Sequence, residues 1–291
     1  MADYREQLKV LGENCEILNE RIAFSDEQRG ICVMQICESL CSRGTELGVD
    51  GVYSEFVREM KNATPSDKAM LCQYICKEKQ LLFEVEEKKL FGDGEKAMEG
   101  TQGRIAYVKN KRSDEVFLEL SRRLTDAKAY YASSFIDACE LVFNNVCEFC
   151  IIPIENNNEG KLYSFYAMLD RYELKICNIV RKENEDASDS VTFALAGRGI
   201  DVPVPSEQAL MRFEFSVVYE KGYALEAMIS AIVALGGKIS SIGTLPVPYD
   251  DKKSRCYMAV DIQNASPLPM ALYMNMEYPR YIPMGLYAVI E

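Results

Sequence analysis

The hydrophobic period of this 291-residue chain changes once, at a glycine-rich stretch, and that change constrains the fold more than any other feature. Up to residue 98, apolar residues recur three and four positions apart. Leu8, Leu11, Cys15, Leu18 and Ile22 make one amphipathic stripe, the spacing of a helix face. Ser25-Asp-Glu-Gln28 predicts a second helix start, with Ser25 as cap and Gln28 completing a capping box. Gly44 and Gly48 punctuate its end before Val52–Met60, and Thr64-Pro65-Ser66 opens a helix through Met70, Tyr74 and Leu81 toward Leu90. Gly92, Gly94, Gly100 and Gly103 then mark a polar linker.

Beyond the linker, short apolar runs alternate with helical patterns. Strands are expected at Arg104–Val108, Ala127–Ala132, Phe149–Ile154, Leu174–Arg181 and Ser190–Ala196, and helices at Ser113–Arg123, Ser134–Asn144 and Gly160–Leu169. Such interleaving predicts a parallel or mixed sheet with helices on its faces. Val202-Pro-Val-Pro205 is a semi-rigid connector. After it come strands at Met211–Glu220, Lys238–Tyr249, Arg255–Ile262 and Tyr281–Ile290, with helices at Ala224–Leu235 and Pro267–Met276. That β-α-β-β-α-β order is the ferredoxin-like split βαβ arrangement. The expected fold class is multidomain, α and α/β: a helical domain over 1–98, a single α/β lobe over 104–199, and a ferredoxin-like domain over 207–291.

Composition narrows the chemistry. There is no His and no Trp, which excludes a Ser-His-Asp or Cys-His pair and His-ligated metals. A net charge of -12 disfavours nucleic acid and anionic membranes as partners. No run of about 18 apolar residues is present to span a bilayer. The start, Met1-Ala-Asp-Tyr-Arg5, lacks the apolar core of a secretory signal. Eleven cysteines, an odd number set mostly among apolar neighbours, fit a reducing cytoplasm. Cys147-Glu-Phe-Cys150 is the one Cys-x-x-Cys. With no His and no second pair it is read as packing, and neither a metal nor a cofactor is expected.

The run Ile151-Ile-Pro153-Ile-Glu155-Asn156-Asn157-Asn158-Glu159-Gly160 resembles the valine-valine-proline-isoleucine-glutamate-asparagine-serine…glycine signature of prephenate dehydratases. Ser134–Glu140, Met168-Leu169-Asp170 and Leu174–Ile179 resemble the elements flanking that signature, and Arg104–Tyr107 its opening strand. Gly222-Tyr-Ala224-Leu225, Gly236-Gly-Lys-Ile239 and Cys256–Asp261 resemble the amino-acid-sensing ACT domain that follows the dehydratase. Asp26–Arg29 and Gly48–Tyr53 resemble the second and third helices of the chorismate mutase domain in the bifunctional P-protein family. The resemblance implies a periplasmic-binding-protein-like lobe and a homodimer. It also implies ligand contacts at Glu155, Asn156 and Asn157, and in the ACT groove at Gly222, Ala224, Leu225, Ser241, Gly243 and Thr244. Arg5, Arg21 and Arg29 would correspond to the mutase cations.

The departures bear on activity. The family's threonine-arginine-phenylalanine motif returns only after a whole second lobe, with prephenate bound between the lobes. Here its counterpart, Val191-Thr192-Phe193, follows one helix, one strand and the polar turn Arg181–Asp189. That leaves no room for a second lobe, and Thr192 stands where Arg belongs. The glycine-rich loop after the first strand is replaced by Lys109-Asn-Lys-Arg112, read as a solvated basic turn before a helix that Ser113 can cap. The mutase's lysine has no counterpart, Gly30 replaces a glutamate, and the ACT glutamate-serine-arginine-proline motif reads Gly243-Thr244-Leu245-Pro246. The bland reading of Pro153–Asn156 is a strand end leading into a helix capped by Asn157 or Asn158. The sequence therefore predicts a regulatory or metabolite-binding relative without dehydratase activity. The competing reading is an enzyme of aromatic amino-acid biosynthesis that retains chorismate mutase or, less readily, dehydratase activity.

Overall fold

A computed structural model describes residues 2–87, 90–91, 103–122, 124, 126–183, 190–199, 210–220, 225–247 and 250–289, with the side chains of 2–13, 87 and 251 outside that description. The chain divides into two compact units, Met1–Glu84 and Val85–Glu291.

The first unit is helical. α1 spans Ala2–Ser42, α2 Gly44–Glu59, α3 Pro65–Lys77 and α4 Lys79–Glu87. The helix start expected at Ser25 does not occur, and α1 runs through it without a break. Between Gly12 and Gly30 the sequence offers no glycine or proline to stop a helix, and one internal Ser costs too little to do so. Gly48 does break the pattern: it takes φ +65° inside α2, where a side chain would be strained. The Val49 N–H donates there to the Glu84 carboxylate at 2.9 Å. Thr64 caps α3 as its sequence predicts. Asp67 N–H donates to the Thr64 hydroxyl at 3.2 Å and Thr64 N–H returns a bond to the Asp67 carboxylate at 2.7 Å, a reciprocal capping box. Glu78 is extended and separates α3 from α4, so the single helix expected there is two. Val33, Cys37, Val52, Phe56, Cys72 and Ile75 are fully buried in this unit.

In the second unit the elements are β1 (Arg104–Val108), α5 (Lys111–Ser121), β2 (Lys128–Ala132), α6 (Phe135–Phe143), β3 (Phe149–Asn156), β4 (Gly160–Lys161), α7 (Tyr163–Arg171), β5 (Lys175–Glu183) and β6 (Ser190–Gly197). They continue with β7 (Met211–Glu220), α8 (Leu225–Ala234), β8 (Gly237–Val247), β9 (Asp250–Ile262), α9 (Leu268–Glu277) and β10 (Ile282–Ala288). The described strands form one sheet in the order β2-β1-β3-β6-β5-β10-β7-β9-β8, with β4 paired to β3. β1 is parallel to β2 and β3, while β6 runs antiparallel between β3 and β5. β10-β7-β9-β8 with α8 and α9 is the ferredoxin-like order read from the sequence.

The lobe and the ferredoxin-like segment thus share a sheet. They join where β10 meets β5 in parallel at Gly285 and Ile176. A β-carbon at 285 would lie 2.7 Å from Ile176 Cβ and 2.9 Å from its carbonyl oxygen, so this seam needs glycine.

Two local expectations are corrected. α5 is capped by Asn110, whose side chain accepts from Ser113 N–H at 2.9 Å, and not by Ser113, which is buried. The helix expected from Gly160 begins at Tyr163 instead. Asn156–Gly160 is a hairpin turn between β3 and β4, with Gly160 at φ +69°. Asn156 accepts from the N–H groups of Asn158 and Glu159 at 3.0 and 2.6 Å, an Asx turn in place of an N-cap. On one face of the lobe Ile152, Ile154, Ala194 and Ala196 pack with residues of α6 and α7; on the other Ile105, Ile151, Phe193 and Leu195 pack with α5.

Candidate functional site

Arg212, Glu214 and Ser216 alternate with Phe213, Phe215 and Val217 along β7, a pattern that would put the polar set in water if one sheet face were solvated. The residues of this polar face are covered in part by α7. Arg255, opposite Val218 on β9, pairs with Asp170 of α7 at 2.9 Å and donates to Ser216 Oγ at 3.1 Å. Arg212 makes a two-bond contact with Asp261 at 2.7 and 3.0 Å.

Glu214 is 2% exposed and is the most deeply buried carboxylate of this face. Lys161 Nζ, from β4, donates to it at 2.5 Å, and the Tyr287 hydroxyl donates at 2.6 Å. Lys161 also donates to the Tyr166 hydroxyl at 2.8 Å. Burial works against the charge of Glu214, but the Lys161 ammonium and the hydrogen bonds from Lys161, Tyr287 and Tyr166 outweigh it and hold its pKa below the ordinary value. Burial, and after it the Glu214 charge, pushes the Tyr166 and Tyr287 phenols well up. Burial lifts Tyr257 to about 12.

Beside this pair lies a small cleft with room for about one water molecule, partly open to solvent and walled by Lys161, Tyr163, Tyr166, Glu214, Ser241 and Tyr257. The rings of Tyr163, Tyr166 and Tyr257 pack on one another, mutually 5.8 to 6.0 Å apart, at its wall. The arrangement sets a buried ion pair against tyrosine ring surface.

The residues expected from the sequence are partly gathered here. Ser241 lines the cleft, and Gly243 lies directly beneath Tyr163. Glu155, on β3, is near enough to raise the pKa of Tyr163, Tyr166 and Tyr287 through its charge. Thr192 sits opposite Glu155 on the neighbouring strand and opposite Arg181 on its other side. Asn157 receives the Ser190 hydroxyl and its N–H donates to the Ser190 carbonyl at 3.1 Å, so with Asn156 it builds the turn. Thr244 is exposed on the edge strand β8, and Leu225 opens α8. Gly222 and Ala224 lie outside the described residues, as does the Arg5 side chain.

In the helical unit Arg21 is exposed, and Arg29 donates to Asp67 at 2.6 Å and to the Asn62 carbonyl at 2.8 Å. Cys147 and Cys150 are buried: burial lifts the Cys147 thiol to about 11, and the hydrogen bond with Cys139 together with burial pushes the Cys150 thiol well up. Lys109 of the basic turn lies over the Tyr131 ring, 4.6 Å from its centroid.

Sequence reasoning missed Lys161, Glu214 and the tyrosines. The available signal was Glu214 set between two phenylalanines, and it was unreadable because nothing local shows which sheet face a helix from another segment will cover.

No family model matches the chain, and neither does any curated protein. Solved structures do resemble it. A prephenate dehydratase from Streptococcus mutans superposes with a TM-score of 0.52 and 15% identity over 65% of this chain and 100% of that one. A prephenate dehydratase from Arthrobacter aurescens in complex with L-Phe gives 0.52 and 12% over 64% and 90%. GqqA, described as a quorum-quenching acylase, gives 0.52 and 16% over 64% and 95%. At these identities the likeness is one of fold, and the fold is prephenate-dehydratase-like. Among the described residues no helix is long and apolar enough to cross a membrane.

Proposed function

We propose that this chain, with its prephenate-dehydratase-like fold, is a distant relative of those enzymes that no longer dehydrates prephenate. In this reading it acts as a regulatory protein that binds an amino acid or an aromatic-pathway metabolite. One observation carries the reading. Only residues 184–189 separate β5 from β6, and β6 pairs with both β3 and β5 in a single sheet. Thr192 therefore faces Glu155 across one strand spacing, where a dehydratase needs a cleft between two lobes to enclose its substrate. The L-Phe held by the Arthrobacter aurescens structure supports the binding part of the same reading.

The mutase reading has less support. Arg29 spends its guanidinium on Asp67 and the Asn62 carbonyl, and a dianionic substrate needs cations that are free to meet it.

The working form would be a cytoplasmic homodimer joined through α1. Residues 14–29 of that helix are exposed, with Ile17, Leu18, Ile22 and Phe24 between 48% and 64% accessible, and an isolated helix is not stable in water without a partner for its apolar face. Its charge argues against nucleic acid as a partner.

The test is direct. Pure protein incubated with prephenate is expected to yield no phenylpyruvate, while a thermal-shift screen of aromatic amino acids, chorismate and prephenate is expected to show at least one stabilising ligand. Phenylpyruvate formed at an enzymatic rate overturns the reading, and so does a screen in which nothing stabilises.

A further inference from the structure

Among the described strands β2 and β8 are the two edges of the sheet, and the edges differ. β8 shifts register against β9 between Ile239 and Ser241 and again between Pro246 and Val247, and it contains a proline. Such irregularities keep a sheet edge from pairing with another chain. β2 has neither. It pairs with β1 over its whole length, Lys128–Ala132, without a shift. Its one charge is Lys128, and Tyr130 and Tyr131 are 45% and 55% exposed.

The backbone is open in the same place. Lys128 N–H donates to the Gly103 carbonyl at 2.9 Å, so Lys128, Tyr130 and Ala132 turn their backbone groups toward β1, while Ala129 and Tyr131 turn theirs away from the sheet. The outward run is bounded at both ends. The next outward N–H, that of Ser133, already donates to the Asp137 carboxylate at 2.7 Å. At the other end the chain turns at Asp126, with φ +55°.

We propose that β2 is a pairing edge on which a second copy of this chain lays its own β2, antiparallel, with the two-fold axis at Tyr130. This contact is additional to the α1 dimer and does not depend on the ligand-binding reading. The register follows from the bonds. About Tyr130, Ala129 of each copy meets Tyr131 of the other, and every outward backbone group of the strand finds a partner. An axis at Tyr131 would set Ala129 against Ser133, whose N–H is taken. An axis at Ala129 would set Tyr131 against Ala127, beyond the end of the strand.

The side chains fit the same register. Tyr130 lies opposite Ala106, which packs with α6, so Lys128, Tyr130 and Ala132 share the α6 face. The two Tyr130 rings meet at the axis as a non-hydrogen-bonded pair, the closer kind, and aromatic cross-strand pairs favour pairing. On the other face each Tyr131 stands against the small Ala129 of the second copy. Its ring is already ordered by Tyr107, 5.5 Å away, and by the Lys109 ammonium at 4.6 Å. Charge is complementary as well. Lys128, paired at 3.2 Å with an exposed Asp126, comes opposite Ala132 of the second copy, next to the Ser133–Asp137 cap, and gains that carboxylate. So short a strand makes a small interface, and the pair forms at concentrations well above those that hold α1.

Sedimentation velocity of full-length Leu18→Glu, Ile22→Glu protein, which lacks the α1 contact, isolates the pairing. A monomer is expected at micromolar concentration, passing to a dimer as the concentration rises toward millimolar. Adding Ala129→Pro removes an outward N–H and no bond of the chain's own sheet, and should abolish this dimer with the melting temperature nearly unchanged. Adding Tyr130→Lys sets like charges face to face and should do the same; it carries the test should the proline variant not fold. Tyr130→Cys treated with oxidised glutathione should link two chains through position 130, read by peptide mass spectrometry, because directly opposed residues lie within disulfide reach. Tyr131→Cys should not link to its own copy. A monomer at every concentration, a dimer that survives either edge substitution in a folded variant, or linkage through 131 in place of 130 overturns the proposal.

Discussion

The Tyr163 ring and the Gly243 backbone occupy adjoining space so closely that a β-carbon at 243 would stand 2.0 Å from Cζ and 2.1 Å from the phenol oxygen. The Tyr163 side chain, at the start of α7, can therefore reach over β8 only because residue 243 has no side chain. Gly243→Ala should push the ring out of the cluster it forms with Tyr166 and Tyr257 and cost about 1–3 kcal/mol, as overpacking does. Chemical denaturation measures it. In a Tyr163→Ala background the same substitution should cost clearly less, because the two residues are in contact; an equal cost in both backgrounds would show that the contact carries no energy.

Breaking the Lys161–Glu214 pair leaves a buried carboxylate without its counter-charge. Lys161→Met should therefore destabilise by about 3–5 kcal/mol, and Lys161→Met with Glu214→Leu should recover much of that loss. A double variant no more stable than the single one contradicts this account.

The same pair sets a pH dependence. The pKa of Glu214 is lowered in the folded protein, so below the ordinary glutamate value of about 4.3 the unfolded chain takes up its proton first. The stability supplied by the pair is full above that value and is lost as pH falls through the lower, folded pKa. In Lys161→Met burial, the largest effect, is opposed only by the Tyr287 and Tyr166 hydrogen bonds; it prevails and raises the folded pKa, so this group's contribution reverses and acidification relieves the variant. Urea midpoints at pH 7, 5 and 4 for both proteins show whether the slopes differ in sign.

Arg29 and Asp67 tie α1 to the start of α3. Asp67 also belongs to the capping box, and its pKa is lowered: burial opposes the charge, but the hydrogen bond from Arg29 and those from Thr64 prevail. Thr64→Ala should cost about 1 kcal/mol. Arg29→Ala should cost about as much, because the pair is partly exposed on the arginine side. If Arg29 were instead a mutase cation, its replacement would abolish chorismate turnover while leaving the melting temperature nearly unchanged.

The exposed stripe of α1 predicts association. Leu18→Glu with Ile22→Glu should convert a dimer to a monomer by light scattering, with little change in the stability of the α/β unit. A wild-type protein that is monomeric at all concentrations removes the basis for this.

Elements with a short-range cause were legible in the sequence. Thr64-Pro65 starts a helix because its hydroxyl and Asp67 satisfy each other's N–H groups three residues apart. The β-α-β-β-α-β order was legible because each strand carries its own alternation. Ser25 misled because capping residues start a helix only where the preceding chain leaves one, and α1 was already formed. Asn157 misled because a hairpin and a helix start use the same turn residues.

Residue order by itself determined the types of element and their sequence along the chain. Only the tertiary structure decided that the two α/β segments share one sheet through Gly285, and that α7 covers the polar face of β7. It alone brought Lys161 to Glu214, 53 residues away in the chain. Local periodicity records which side of a strand is polar. Whether that side meets water or another helix depends on packing between segments far apart in sequence, and there burial turns ordinary surface residues into a charged, ring-walled site.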